Sequence, residues 1–134
     1  MTPEFLSSFV DTIFPGDDSL PTGTAAGVTA KLWDNGELHQ PVLQAVAERA
    51  GGEESFVGAS ESERVVAVKA VEKEMKSTFG SLLSLLLMDY YESQPVLMAM
   101  GWRAEPPQQR GHPLPPFEEA LLEQAKKRGR IWRE

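Results

Sequence analysis

The sequence contains no cysteine. That excludes disulfides, thiolate metal ligands and cysteine nucleophiles, and it leaves the compartment open. No apolar run approaches the ~20 residues that a bilayer-spanning helix needs. Residues 85–88 (LLLM) are far too short, and the wider segment 79–88 also fails. The start, MTPEFLSSFV, has neither the basic region nor the long apolar region of a secretory signal. The expected location is therefore cytoplasmic as written, or periplasmic if a signal has been removed or a partner directs export. Cations are in the minority, with 13 Lys and Arg against 20 Asp and Glu, for a formal net charge of -7. Such a balance argues against nucleic acid and anionic membranes, because phosphate contacts need a dense basic surface. Alternating strand patterns of useful length and internal repeats are both missing.

What is present is a chain of one-domain length, 134 residues, with 41% apolar residues for a core. Residues 1–117 hold 16 acids and 8 bases, whereas residues 118–134 hold 4 and 5. The tail at 126–133 (KKRGRIWR) is thus locally basic. It reads as a solvated helix end, with contact to an acidic patch on a partner as the sharper alternative.

The apolar spacing predicts an all-α protein. Thr2 caps a first helix, with Pro3 at its first position and Glu4 at the positive end of the dipole. Phe5, Leu6, Phe9, Val10 and Ile13 form its stripe, and Pro15-Gly16 stops it. After a polar loop, Thr24 is expected to cap a short helix reaching about Trp33. Asp34-Asn35-Gly36 signals a turn. Pro41 is expected to begin a third helix, closed by Gly51-Gly52. Ser60 and Glu63 form a capping box for a helix running at least to Met75. Ser77, Thr78 and Gly80 weaken the chain before the most apolar helix starts at about Phe79. From 79 to 91 its apolar positions cover nearly the whole circumference. A short segment from Pro95 ends at Gly101. Residues 105–116 (EPPQQRGHPLPP) read as an extended, proline-rich arm, and residues 117–127 as a final helix.

Chemistry is scarce. There is no phosphate loop, zinc motif or nucleophile elbow. His39 and His112 are both expected in loops, as surface or capping residues without a metal-spaced neighbour. Asp17 and Asp18 lack the spacing of a calcium loop, and they suit turn formation through bonds to backbone N–H groups. Tyr90 and Tyr91 are expected as core plus a hydrogen-bonded rim rather than as catalytic acids. Trp33, Trp102 and Trp132 suit a core or an interface.

Two stretches together resemble a known family. The first is Asp11-Thr12-Ile13-Phe14-Pro15, then Asp17-Asp18, Pro21 and Ala25-Ala26-Gly27-Val28. The second is Leu85-Leu86-Leu87-Met88-Asp89-Tyr90-Tyr91-Glu92-Ser93, then Met100-Gly101-Trp102 and the prolines. In this order they resemble the gluconate 2-dehydrogenase subunit 3 family, the small subunits of FAD-dependent sugar and alcohol dehydrogenases, over about residues 5–116. Asp89 stands where that pattern has a glycine, and the twin-arginine signal of exported members is absent.

The resemblance implies a helical, non-catalytic small subunit with no cofactor of its own. Its partner would be a large FAD-binding oxidoreductase of the glucose–methanol–choline type, with a cytochrome c subunit as a further member. The expected architecture is a small irregular helical bundle over 1–104, the arm over 105–116, and a C-terminal helix with its basic tail over 117–134. Partner contacts are expected at Tyr90, Tyr91, Pro95 and Trp102, at Pro106, Pro107 and Pro113 of the arm, and at Trp132. Residues 79–88 are expected as central core and 89–102 as the docking part. The alternatives are a free-standing helical adaptor or regulator and, third, an enzyme using Tyr90 or Tyr91 with the acidic loop.

Overall fold

The computed structural model describes residues 1–34, 36–102, 111 and 118–129, with the backbone alone for residues 31, 33, 34, 36–38 and 121. Among these residues every regular element is a helix and none is a strand. The helices are α1 (Pro3–Ile13), α2 (Thr29–Asp34), α3 (Gly36–Arg49), α4 (Glu53–Gly58), α5 (Glu61–Glu74), α6 (Lys76–Glu92), α7 (Gln94–Ala99) and α8 (Ala120–Arg128). The chain forms two compact units, Met1–Ala104 and Glu105–Glu134.

In the first unit, α1 begins as its sequence dictates. The Thr2 hydroxyl accepts from the Phe5 N–H at 3.3 Å, satisfying one orphan donor of the first turn. Phe5, Leu6, Phe9 and Val10 are buried, and Phe14 closes the helix before Pro15. The Thr24-capped helix does not form. Thr24 instead gives its N–H to Asp11 Oδ1 at 2.8 Å, and Gly27 sits at φ +81°. Turns therefore fill residues 23–28, and α2 starts four residues later than expected, at Thr29. Gly23 lies against α1, where a Cβ would collide with Val10 Cγ1 and lie 3.1 Å from the Val10 carbonyl oxygen.

Pro41 does not start α3 but sits inside it. The ring removes one backbone donor and leaves the turn before it without that hydrogen bond. Gly51 and Gly52, at φ +85° and +121°, end the helix as expected. The next helix, α4, is not signalled by any strong pattern. Its Phe56 is fully buried and meets Phe5 edge-on at 5.2 Å between ring centroids. Arg64 holds its far end, giving Nε–H to the Phe56 carbonyl (3.0 Å) and a second N–H to the Val57 carbonyl (2.6 Å). Those are carbonyls that a helix end leaves without intrahelical partners. Its near end is tied to the chain start, because Glu53 accepts from the Thr2 N–H at 2.7 Å.

The capping box of α5 is formed as expected, with Ser60 and Glu63 bonding reciprocally. The break between α5 and α6 lies at Met75 (φ -114°, ψ 42°), not in the Ser77–Gly80 stretch, so α6 starts three residues earlier than its apolar pattern suggests. Phe79, Leu82, Leu86 and Tyr90 of α6 join Val42, Leu43 and Val46 of α3, Val71 of α5 and Val96 of α7 in one core with α1. Burying each aliphatic side chain of this kind contributes about 1.5–3 kcal/mol.

In the second unit, α8 carries Lys126, Lys127 and Arg128 in its last turn, where cations complement the helix dipole. Gly129 at φ +71° ends it. The helix begins at Ala120, inside the expected span; Phe117 lies outside the described residues, as does the proline arm apart from Gly111.

Candidate docking face

The apolar helix α6 is not covered on all sides. Buried residues recur at 79, 82, 86 and 90, the three-and-four spacing of one inward stripe. Leu87, Met88 and Tyr91 fall out of that phase and are exposed, Met88 to 61% and Tyr91 to 48%. The division between core and docking surface therefore runs along the helix, not across it at residue 89. Leu87 and Met88, expected in the core, lie outside; Asp89 and Tyr90, expected in the docking part, lie inside.

The exposed apolar side chains continue beyond α6. Ser93 interrupts the helix in extended backbone, and Pro95 lies in the first turn of α7, as its fixed φ allows. Val96 turns inward, whereas Met98, Met100 and Trp102 are exposed. The end of α7 is fixed by backbone. Gly101 at φ +78° gives its N–H to the Met98 carbonyl (3.0 Å), and Trp102 gives its N–H to the Leu97 carbonyl (2.9 Å). This is a Schellman closure, which sets the backbone of Trp102 while its ring stays 67% exposed.

Tyr90 anchors this region from within. Its ring stacks on Phe14 at 4.4 Å with planes 3° apart, and its hydroxyl donates to the Pro21 carbonyl at 2.7 Å. The Tyr91 ring meets Tyr90 edge-on at 5.4 Å. Burial, then the neighbouring Tyr91, then the charge of Asp17 push the Tyr90 phenol above its ordinary pKa. A hydroxyl that is already donating, on a phenol made less acidic, is poorly suited to proton transfer or attack.

Of the expected contact residues, Tyr91, Pro95 and Trp102 are exposed, and Tyr90 is taken up by the fold at 4% exposure. Pro106, Pro107, Pro113 and Trp132 lie outside the described residues. His39 is a correction. It lies within α3 rather than in a loop, it is 3% exposed, and its Nδ1 has no hydrogen-bond partner among the described residues. His112 lies outside them. Asp17 does organise a turn, accepting from the N–H groups of Ser19 (2.7 Å) and Leu20 (2.8 Å), which lower its pKa.

No group of three metal-binding side chains occurs among the described residues. A cleft of about 660 Å³ lies between α3, α4 and α5. Its two charged members are engaged elsewhere, Arg49 with Glu74 and Glu63 with Ser60. No helix among the described residues is long and apolar enough to cross a membrane. No known family profile, curated protein or solved structure matches the chain.

Proposed function

We propose that this chain is a non-catalytic helical subunit that binds and stabilises a large FAD-dependent oxidoreductase of the glucose–methanol–choline type, acting on a sugar or alcohol. The observation that carries the reading is the run of exposed apolar side chains Leu87, Met88, Tyr91, Met98, Met100 and Trp102, clustered in sequence over residues 87–102 beside a closed core. That many large apolar side chains on a monomer's surface mark a site of association. The same segment, residues 85–102, holds the second of the two stretches that resemble the small-subunit family. The role also fits Tyr90, whose hydroxyl is taken up by the Pro21 carbonyl. In this reading the flavin and the substrate contacts belong to the partner, and a cytochrome c subunit completes the assembly.

Co-expression with a candidate large FAD-dependent oxidoreductase subunit from the same organism tests the reading. The expected result is a complex that survives gel filtration, shows flavin absorbance, and loses dehydrogenase activity more slowly on heating than the flavoprotein alone. A chain that stays monomeric, and changes neither the stability nor the activity of that flavoprotein, refutes it.

A further inference from the structure

The two stretches of chain that meet at Tyr90 carry no cationic side chain, and the Met1 ammonium at the chain start is paired with Glu53. Residues 1–30 and 77–102 contain no Lys, Arg or His, and together they hold Glu4, Asp11, Asp17, Asp18, Asp89 and Glu92. They meet where Phe14 stacks on Tyr90 and where the Tyr90 hydroxyl reaches the Pro21 carbonyl. Because the Tyr91 ring abuts Tyr90, the loop over 15–24 stands beside the exposed face. The shape of that loop is fixed. Asp17 takes the Ser19 and Leu20 N–H groups, the Asp17 N–H goes to the Leu20 carbonyl at 2.9 Å, and the Gly23 N–H goes to the Phe14 carbonyl at 3.0 Å. The charge of Asp17 is felt at the Tyr90 hydroxyl, in keeping with this proximity. Asp18 in the loop and Glu92 at the end of α6 are exposed. Among the described residues, therefore, the charged side chains of the two stretches that carry the apolar face are of one sign.

We infer that this face docks a protein whose apolar contact surface is flanked by Arg or Lys, placed opposite the 15–24 loop and Glu92. Rim charges govern approach and register, and Leu87, Met88, Tyr91, Met98 and Trp102 supply the burial. A second copy of this chain is a poor occupant, since a two-fold contact through the same face would set like charges against each other. An anionic lipid surface is repelled for the same reason. The inference rests on the proposed subunit role only for the identity of the docked protein, not for its chemistry.

The test uses the full chain and the candidate FAD-dependent oxidoreductase subunit, with the double variant Asp18→Lys/Glu92→Lys. Both residues are exposed and their side chains make no hydrogen bond among the described residues, so an unchanged Tm serves as the control for folding. The expected result is an association rate lowered roughly tenfold or more by the variant, and a rate for the parent chain that falls steeply as salt is raised. A complex that forms at the same rate in the variant and at all salt concentrations overturns the inference and leaves the subunit reading standing. A second arm does not need the flavoprotein. Two amphipathic helical peptides sharing one leucine face, flanked by arginine in one and by glutamate in the other, are titrated into the ¹⁵N-labelled chain. Shifts at residues 17–24 and 87–102 with the arginine peptide alone support the inference, even if the flavoprotein does not bind. Equal binding of both peptides, binding of neither, or shifts elsewhere overturns it.

Discussion

Replacing Tyr90 with phenylalanine keeps the ring on Phe14 and removes one hydrogen bond, leaving the Pro21 carbonyl without its donor. Chemical denaturation should show a loss of about 1 kcal/mol. The same variant should change the alkaline limb of stability. The folded state holds the Tyr90 proton more tightly than the unfolded chain does, so its contribution is full below the unfolded pKa and is lost as pH rises through the raised folded value. The parent should therefore lose Tm more steeply above about pH 10 than Tyr90→Phe does. On the acid side the sign reverses. The Ser19 and Leu20 N–H groups depress the pKa of Asp17. The Thr2 backbone N–H does so for Glu53, and the Ser60 hydroxyl does so for Glu63. Their contribution is present above the ordinary values of 3.8 and 4.5 and is lost as pH falls through the lower folded values. A double variant, Asp17→Asn/Glu63→Gln, should melt a few degrees lower at neutral pH and show a shallower acid limb in a series of melting curves.

Among the helices, α5 and α4 make an instructive pair. Ser60→Ala removes the cap of α5 and should cost about 1 kcal/mol, read from urea unfolding. Phe56→Ala in α4 should cost about 3–5 kcal/mol, because it empties a fully buried position that no neighbouring side chain can refill. Only the first of these helices was legible in the sequence. A capping box is a local device, complete within four residues, and the Thr2 cap and the Gly51-Gly52 stop are of the same kind. Six residues of α4 are too few for periodicity to declare itself. That helix is held by Arg64, by Glu53 and by Phe5, all from outside the helix interior or at its edge, so its signal is tertiary. Pro41 misled for a related reason: its preference for a first turn is weaker than the packing of Val42, Leu43 and Val46, which carries the helix through it. His39 followed it inside. In α6 the apolar content was plain but its division was not, since Leu86 and Leu87 are chemically alike and only the neighbouring helices decide which of them is covered.

At the scale of the whole molecule, closing a core while leaving a face open separates stability from association. Leu82, Leu86 and Val96 are buried in the core, whereas Met88, Met98 and Trp102 are exposed and, on the proposed function, serve association. A triple variant, Met88→Ser/Met98→Ser/Trp102→Ser, should keep the circular dichroism spectrum and shift Tm by no more than a few degrees, because those side chains are already in water. It should abolish co-elution with the flavoprotein. The sequence reading of the tyrosine pair as core plus a hydrogen-bonded rim matches the buried, hydrogen-bonded Tyr90 beside the exposed Tyr91, but it did not assign the two parts. Nothing in two adjacent tyrosines says which one Phe14 will take. The composition of the open face has one more outcome. Three of its members, Met88, Met98 and Met100, are thioethers exposed to solvent. Peroxide converts such side chains to sulfoxides, which are polar and chiral. The surface is therefore chemically perishable. Mass spectrometry after mild peroxide treatment should find these three sulfurs oxidised before the partly buried Met75. Methionine sulfoxide reductases would then restore the apolar surface without the chain ever having unfolded.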